Sequence, residues 1–599
     1  MSPRPSTLVT WLPSRDRASL NGNWKAIIDV YDVGAGGSPF SDNPKWGFPA
    51  DRGMNSPGRR SEYDFDRAGD LAVPGDWNTQ EESYHFYEGS MWFRTRFAAQ
   101  SADDRRSVLA FGAVNYLATV YLNGREVAEH EGGYGPFCVD VTDDLRADGS
   151  DNSLVVRVNN ARRSDAVPTT HTDWFNYGGM LRDVWVLDLP DTYVRDAVVQ
   201  LDPTEADTVV ADVWLQGRRT EQDVTVGIAG VELGTLRTGP DGHRRGRFAA
   251  PDDLDRWSPE RPVLHEVVVR AETDAVTDRI GFRTVRAQGS EILLNDEPVF
   301  LAGVSLHDEA VGEPTRRIRT PDEAHAVLSQ ARDLGANFVR VAHYQHNEHT
   351  VRACDELGFL AWCEIPVYWG IDWSNEATYR NAESQLTELV ERDRNRAAVI
   401  LWSVANETRS TPERNDFLSG LVETARSLDR TRLITAALFA RPADDDFRAA
   451  MDGTSDADWV IDDPLGEHLD VLGVNQYHGW YYGSFGNMAT MTWTTPYDKP
   501  LVMSEFGGGA RHGLHGGADE SWTEEFQAEI YRHQFEMLGR IPFLAGTTPW
   551  ILEDFRAPFR VLAGIQDGFN RKGLIDPTGN RKLAFDLVRD WNRSRNRSR

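Results

Sequence analysis

The sequence predicts a multidomain protein in which two β-sandwiches precede a C-terminal (β/α)8 TIM barrel. Three observations support this fold class. The chain of 599 residues is too long for a single compact core. Its first half carries short alternating apolar runs between turn residues, a pattern typical of sandwiches. From about residue 285, buried strand patterns alternate with helical patterns, which favours a closed barrel.

Residues 1–190 are predicted to form a jelly-roll β-sandwich. Its clearest strand patterns are MWFRTRF (91–97), SVLAFGAV (107–114), LATVYL (117–122) and SLVVRVN (153–159). The dipeptide Asn123-Gly124 separates two strand patterns, which predicts a hairpin with a type I′ turn. Residues 191–284 have the size and the strand pattern of an immunoglobulin-like sandwich. We find no catalytic cluster within either region.

Residues 285–599 are predicted to form the barrel. Its eight expected strands are 299–305, 337–343, 359–365, 399–407, 433–439, 471–477, 501–507 and 546–552. Helical patterns such as PDEAHAVLSQARDLG lie between most of them. No dinucleotide fingerprint or P-loop spacing occurs, so we expect no cofactor.

Composition excludes several classes of partner. A net charge of −29 argues against nucleic acid and anionic membranes. No stretch approaches the ~20 apolar residues that span a bilayer. The first 20 residues lack an apolar core typical of a secretory signal, so we expect a cytoplasmic protein. The three cysteines, Cys138, Cys354 and Cys363, have no metal-ligand spacing and are expected to be buried thiols.

Two glutamates carry the predicted chemistry. Glu407 ends the run VILWSVANE and Glu505 lies in LVMSEFGGG, so each follows an apolar strand. A barrel enzyme places catalytic groups at the C-terminal ends of its strands. Two such carboxyl groups can act on one glycosidic bond, one as a proton donor and the other as a nucleophile. The alternative is that each glutamate only ends a strand or caps a helix.

The two glutamates need different environments. A catalytic acid needs a raised pKa, which burial and a neighbouring negative charge provide. We assign that role to Glu407. Glu505 should stay ionised, with hydrogen bonds from Tyr477 or Arg340.

Other polar or aromatic side chains follow most barrel strands and are difficult to attribute to core packing. They include His307, His343, Glu364, Tyr477 with His478, and Trp550. The run His307-Asp308-Glu309 raises the possibility of a metal site. Because consecutive residues rarely converge on one ion, we predict no metal.

These motifs resemble glycoside hydrolase family 2. The likeness rests on SVANE, MSEFGGG, NFVRVAHYQHNE and the sandwich–sandwich–barrel order, and it runs from about residue 21 to 591. It implies a retaining enzyme that cleaves terminal β-linked sugars by double displacement. Glu407 is then the acid/base and Glu505 the nucleophile. The remaining family positions that the resemblance implies are Asn406 on the sugar 2-OH, Tyr477 on the nucleophile, and Arg340, His343 and Trp550 at the sugar.

Within the family the likeness is strongest to β-glucuronidases. The segment NQYHGWYYG (475–483), which includes Tyr481, is similar to theirs, and DWFNYGGMLRDVWV implies that Asp173 lies near the sugar. FNRKG implies that Asn570 and Lys572 bind the uronate carboxylate. Lys572 is one of only five lysines. We add His307 to the predicted substrate-binding residues.

Some features depart from that pattern and leave alternatives open. Thr172 stands where glucuronidases often carry histidine, and the first barrel strand ends in VSLHDEA. The N-x-K-G element also occurs in relatives described as β-galactosidases. A β-galactosidase or β-galacturonidase therefore remains an alternative, as does a non-catalytic carbohydrate-binding protein. We expect a carbohydrate substrate and a homo-oligomer, dimer or tetramer.

Overall fold

The computed structural model describes residues 8–35, 47–51, 64–99, 104–146, 150–452, 454 and 458–597. The prediction of no secretory signal falls partly on residues 1–7, which lie outside these ranges. In the described ranges, no helix is long and apolar enough to cross a bilayer. All three cysteines are buried.

The N-terminal region is a sandwich of two antiparallel sheets. One sheet contains, in order, Arg17–Ser19, Val184–Pro190, Arg105–Phe111 and Phe137–Asp140, and the other contains Gly69–Val73, Gly22–Asp29, Ser90–Phe97, Asn152–Asn159, Leu117–Leu122 and Arg125–Glu131. Their inner faces form one apolar cluster. Asn123 and Gly124 have φ values of 53° and 84°, and Leu122 pairs with Arg125. The predicted type I′ hairpin is therefore confirmed.

The second region is a smaller sandwich. Its sheets contain Tyr193–Leu201, Thr208–Gln216 and His243–Ala249 in one layer, and Val231–Arg237, Asp223–Ile228, His265–Ala271 and Ala275–Ile280 in the other. Trp11 packs into this core, and its Nε1 donates to the Ala197 carbonyl at 2.9 Å. The N-terminal segment thus reaches across to the second sandwich. The division of the chain at residues 190 and 284 stays a prediction.

Eight parallel strands close the barrel, which confirms the predicted fold class. They are Leu301–Leu306, Phe338–Val341, Leu360–Glu364, Val399–Asn406, Leu433–Leu438, Leu472–Asn475, Leu501–Glu505 and Leu544–Thr547. The eighth strand was predicted at 546–552 and was placed too late. Pro549 has no N–H to donate to a ladder, so the apolar residues after Thr547 leave the barrel and form its upper rim.

Helices connect or follow the barrel strands, and local signals set their ends. They are Pro321–Asp333, Glu348–Leu357, Glu376–Asp393, Pro412–Leu428, Phe447–Met451, Phe485–Thr490, Glu524–Leu538 and Ala584–Arg597. Thr320 and Glu323 form a capping box at the start of the first of these helices. Thr411 caps Pro412–Leu428, which begins with proline at its first position. These helices return the chain so that every strand points the same way.

Candidate active site

Both predicted catalytic glutamates line one cavity of about 820 Å³ at the C-terminal rim of the barrel. The structure brings eight of the predicted residues to this cavity: Glu407, Glu505, Tyr477, Asp173, His343, Tyr481, Trp550 and Lys572. Four others, Asn406, His307, Arg340 and Asn570, are buried and are not part of its lining. Asp173 belongs to the first sandwich, so that domain completes the wall.

Backbone geometry brings Glu407 to the rim. The pairing between the fourth and fifth strands shifts register between Ser403 and Asn406, and such a bulge redirects the side chains that follow it. Glu407 has a left-handed φ of 51°, a conformation that costs a non-glycine residue ~1–3 kcal/mol. Its backbone N–H donates to the Ala437 carbonyl at 2.9 Å, which holds this conformation in place.

Glu505 ends the seventh strand and accepts two strong hydrogen bonds. Arg340 Nη1 lies 2.7 Å from Oε1, and the Tyr477 hydroxyl lies 2.7 Å from Oε2. Burial and the adjacent Glu505 raise the pKa of Tyr477 well above its ordinary value, so the phenol keeps the proton that it donates. A guanidinium and a phenol donor together stabilise a carboxylate in this position.

Arg340 is held by a second carboxylate behind the cavity. Its Nε and Nη2 donate to the two oxygens of Glu364 at 3.1 and 3.0 Å. Burial alone would raise the pKa of Glu364, but Arg340 and His343 lower it to about 2. Because the guanidinium is completely enclosed by these partners, it does not reach the cavity. The structure shows the expected hydrogen bond from Arg340 to Glu505, whereas its place at the sugar stays a prediction.

Glu407 lies among neutral donors. Trp369 Nε1 donates to its Oε2 at 2.8 Å, and Asn475 Nδ2 donates to its Oε1 at 3.1 Å. Burial, reinforced by the negative charge of Glu505, raises the pKa of Glu407 from 4.5 to about 7. A carboxyl group with this pKa can hold a proton near neutral pH and release it to a leaving oxygen.

The other end of the cavity is cationic. Lys572 Nζ donates to the Tyr481 hydroxyl at 2.6 Å and lies 4.7 Å from the centre of that ring. Arg560 forms a bidentate ion pair with Asp173, which also accepts from Asn570 Nδ2 at 2.9 Å. Burial would raise the pKa of Tyr481, but Lys572 and Arg560 lower it below its ordinary value.

Three further predicted residues are buried behind the lining of the cavity: Asn406, Asn570 and His307. Asn406 accepts from Arg340 at 2.7 Å, and its Nδ2 has no hydrogen-bond partner among the described residues, so its contact with a sugar hydroxyl stays a prediction. Asn570 supports Asp173. His307 bonds the Tyr344 hydroxyl through Nδ1 at 3.0 Å and packs on Phe555. Both residues are buried, and their predicted contacts with the substrate stay predictions.

The possible metal ligands after the first strand point to separate partners. Asp308 pairs with Arg182 at 3.2 Å, whereas Glu309 accepts from the Tyr177 hydroxyl at 3.0 Å. Nowhere in the described ranges does a group of three or more His, Cys, Asp or Glu side chains form a geometry that could hold a metal ion.

Three residues that line the cavity and contact predicted site residues were not themselves predicted: Trp369, Asn475 and Arg560. Trp369 lies in the segment 366–382, whose aromatic residues could have been linked to sugar binding. Asn475 is the last residue of the sixth strand, a position where a polar residue is a general signal of a barrel site. Arg560 lies in a C-terminal loop, and no local pattern distinguishes it from the many other arginines of this chain.

Comparisons with known proteins agree with this architecture. The family model for the sugar binding domain of glycosyl hydrolases family 2 matches residues 19–190, and that for the TIM barrel domain of the same family matches residues 285–538.

Curated relatives include a β-glucuronidase from Mus musculus, which is 26% identical over 96% of this chain and 91% of its own length. A putative β-glucuronidase from Formosa agariphila is 24% identical, and the match spans 87% of this chain but only 66% of that protein. The crystal structure of Ruminococcus gnavus β-glucuronidase superposes with a TM-score of 0.80 at 23% identity, over 99% of both chains. At this identity the structural likeness supports the fold.

Proposed function

The chain belongs to glycoside hydrolase family 2, and from that premise we propose that it is a retaining exo-β-glycosidase for terminal β-D-glucuronides. The single observation that carries the sugar specificity is the position of Lys572. Its ammonium group lines the same cavity as Glu505 and contacts a phenol. No carboxylate forms an ion pair with it in the part of the chain that the structure describes.

A buried cation without an anionic partner is unfavourable unless a ligand supplies the charge. Lys582, ten residues later, illustrates the opposite case, because it is fully buried and pairs with Asp554 at 2.7 Å. Lys572 lacks such a partner, while nearby Arg560 is already neutralised by Asp173. A uronate carboxylate at the sugar end of the cavity would pair with Lys572, whereas a galactoside offers only a neutral hydroxymethyl group.

The environments of the two glutamates support double displacement. In the first step a carboxylate oxygen of Glu505 bonds to the anomeric carbon, the bond to the aglycone oxygen breaks, and Glu407 gives that oxygen its proton. In the second step Glu407 takes a proton from water, whose oxygen displaces Glu505 and releases the sugar. Arg340 and Tyr477 donate hydrogen bonds to Glu505, the proposed nucleophile, and Glu407 with a pKa of about 7 can serve in both directions.

Hydrolysis of a panel of p-nitrophenyl β-glycosides tests the proposal. We expect kcat/KM for the glucuronide to exceed that for the galactoside by about 100-fold or more, because a substrate without the anion leaves Lys572 unpaired. A higher value for the galactoside would overturn the specificity. A higher value for the galacturonide would retain the carboxylate contact but change the sugar. Binding without hydrolysis of any glycoside would indicate the non-catalytic alternative.

The location and assembly of the protein stay predictions. We propose a cytoplasmic location. We also propose a dimer or tetramer, because both sandwiches have edge strands that a second copy could cover. Sedimentation velocity at micromolar concentration would distinguish these states from a monomer.

A further inference from the structure

One wall of the catalytic cavity is apolar and exposed. Phe439, Phe447 and Met451 line it with 44%, 52% and 50% of their surface accessible. Phe439 follows the fifth barrel strand, and the other two lie at the ends of the short helix Phe447–Met451. We call these three side chains the apolar wall. Large apolar side chains grouped at the mouth of a site are a common sign of ligand contact.

Polar groups next to the apolar wall are largely bound to one another. Arg441 holds both oxygens of Asp462 through Nε at 3.1 Å, and its Nη1 donates to Asp445 at 2.7 Å. Arg414 donates to Asp463 at 2.8 Å. These ion pairs neutralise the charged groups next to the apolar wall. What this wall offers a ligand is therefore apolar surface.

Arg409 is the charged exception. It is exposed at the cavity mouth, and no ion-pair partner for it occurs within the described ranges. An exposed guanidinium of this kind is solvated and contributes little to binding.

Part of the apolar wall lies close to the proposed acid, Glu407. A general acid must lie within hydrogen-bond reach of the oxygen that it protonates. The backbone N–H of Glu407 donates to the carbonyl of Ala437 at 2.9 Å, and Phe439 of the apolar wall is only two residues beyond Ala437. The cation Lys572 lies instead with Tyr481 on the sugar side, since its Nζ contacts that phenol.

We propose that the apolar wall binds the aglycone, and that the enzyme prefers glucuronides of apolar alcohols over glucuronides whose aglycone is another sugar. This inference rests on the proposed function for its choice of sugar. The cavity volume of about 820 Å³ fits it, because sites for drug-sized ligands occupy ~300–1,000 Å³. An apolar aglycone that covers the three side chains gains the free energy of removing both surfaces from water.

A second pocket offers a competing path for the aglycone. It has a volume of about 440 Å³ and lies on the other side of Trp369, which lines both spaces. Arg162, His171 and Phe559 form part of its wall. This mixture of polar and aromatic groups suits a sugar, so the choice between the two paths decides the class of aglycone.

Two alkyl glucuronides show whether the aglycone binds at the apolar wall or in the second pocket. The n-octyl and methyl β-D-glucuronides have similar alkoxide leaving groups and differ mainly in apolar area. We expect the wild type to prefer the octyl compound in kcat/KM. Phe447→Ala should lower kcat/KM for the octyl compound by about tenfold and leave that for the methyl compound nearly unchanged. Phe86→Ala, which truncates a phenylalanine 74% exposed outside the cavity, is the matched control.

Equal losses on both substrates would overturn the proposal. A loss of octyl preference in Phe559→Ala but not in Phe447→Ala would also overturn it and assign the aglycone to the second pocket. If Phe447→Ala does not fold, as judged by circular dichroism, Met451→Ala gives the same comparison. If the enzyme cleaves galactosides and no glucuronide, the proposed sugar is wrong, and octyl and methyl galactosides then test the apolar wall independently.

Discussion

Glu505 and Glu407 face the same cavity, yet their hydrogen-bond partners differ in charge. Glu505 receives a guanidinium N–H from Arg340 and a phenol O–H from Tyr477. Glu407 receives an indole N–H from Trp369 and an amide N–H from Asn475, and both of these donors are neutral. Each carboxyl group thus accepts two bonds of similar length, and the number of bonds does not separate their roles.

Glu505 and Glu407 differ in how far a neighbouring positive charge compensates for their burial. The positive charge beside Glu505 offsets the loss of hydration of a carboxylate, whereas indole and amide donors offset it only in part. Burial and the charge of Glu505 therefore raise the pKa of Glu407 to about 7. Two glutamates at one rim can serve as nucleophile and acid because the residues behind them differ.

The largest effect is expected at Glu505. Glu505→Gln should lower kcat by at least about 10⁴-fold, because an amide cannot form the covalent bond to the sugar. Intact-protein mass spectrometry with a 2-fluoro glucuronide should detect an adduct on the wild type and none on the variant. Glu536→Gln, on the outer helix Glu524–Leu538, is the control that should retain labelling. Labelling of Glu505→Gln at the wild-type rate would assign the nucleophile elsewhere.

Substitution of Glu407 tests its proposed role as the acid. Glu407→Ala should lower kcat/KM by about 10²–10⁴-fold for alkyl glucuronides but much less for the p-nitrophenyl compound, because a good leaving group needs no proton. Steady-state kinetics on the two substrates measures the ratio. Uniform losses on both would show that Glu407 does not donate the proton.

The charge of Lys572 should affect kcat/KM for an anionic substrate and leave the function of Glu407 and Glu505 unchanged. Lys572→Ala should lower kcat/KM for the glucuronide by about 30–900-fold, equivalent to ~2–4 kcal/mol, because the uronate would lose its counter-charge. The galactoside rate should change little, and the pH dependence of kcat should not move. A large loss on the galactoside would instead indicate that Lys572 maintains the site.

The smallest effect is a displacement of the pH profile. Glu407 must be protonated to act as the acid, so kcat should fall as pH rises through about 7. The N–H of Trp369 favours the charged form of Glu407 and lowers its pKa. Trp369→Phe removes that donor and should move the descending limb upward by about half to one pH unit.

The pH dependence of kcat for an alkyl glucuronide measures this displacement. Glu407→Ala is the reference, since it should lose the limb altogether. A displacement toward lower pH in Trp369→Phe would contradict the proposed effect of the indole.

Local sequence patterns were sufficient for the elements that carry the site. Apolar runs that end in Glu407 and Glu505 predict strands with carboxyl groups at one rim, because buried parallel strands read as continuous apolar segments. The dipeptide Asn123-Gly124 predicted its turn for a similarly local reason, since both residues tolerate positive φ. The eighth strand was misplaced because apolar residues of the rim continue its pattern beyond Thr547.

The sequence by itself determined the fold class, and it predicted the two glutamates and their chemistry from residue type and from position along a strand. Only the tertiary structure decided which side chain faces the substrate and which supports it. Arg340 and Lys572 are both cations of the predicted site, but Glu364 encloses the first, whereas no carboxylate of the described ranges forms an ion pair with the second. The reason is physical: charge compensation acts over a few ångströms between residues that lie far apart in the chain.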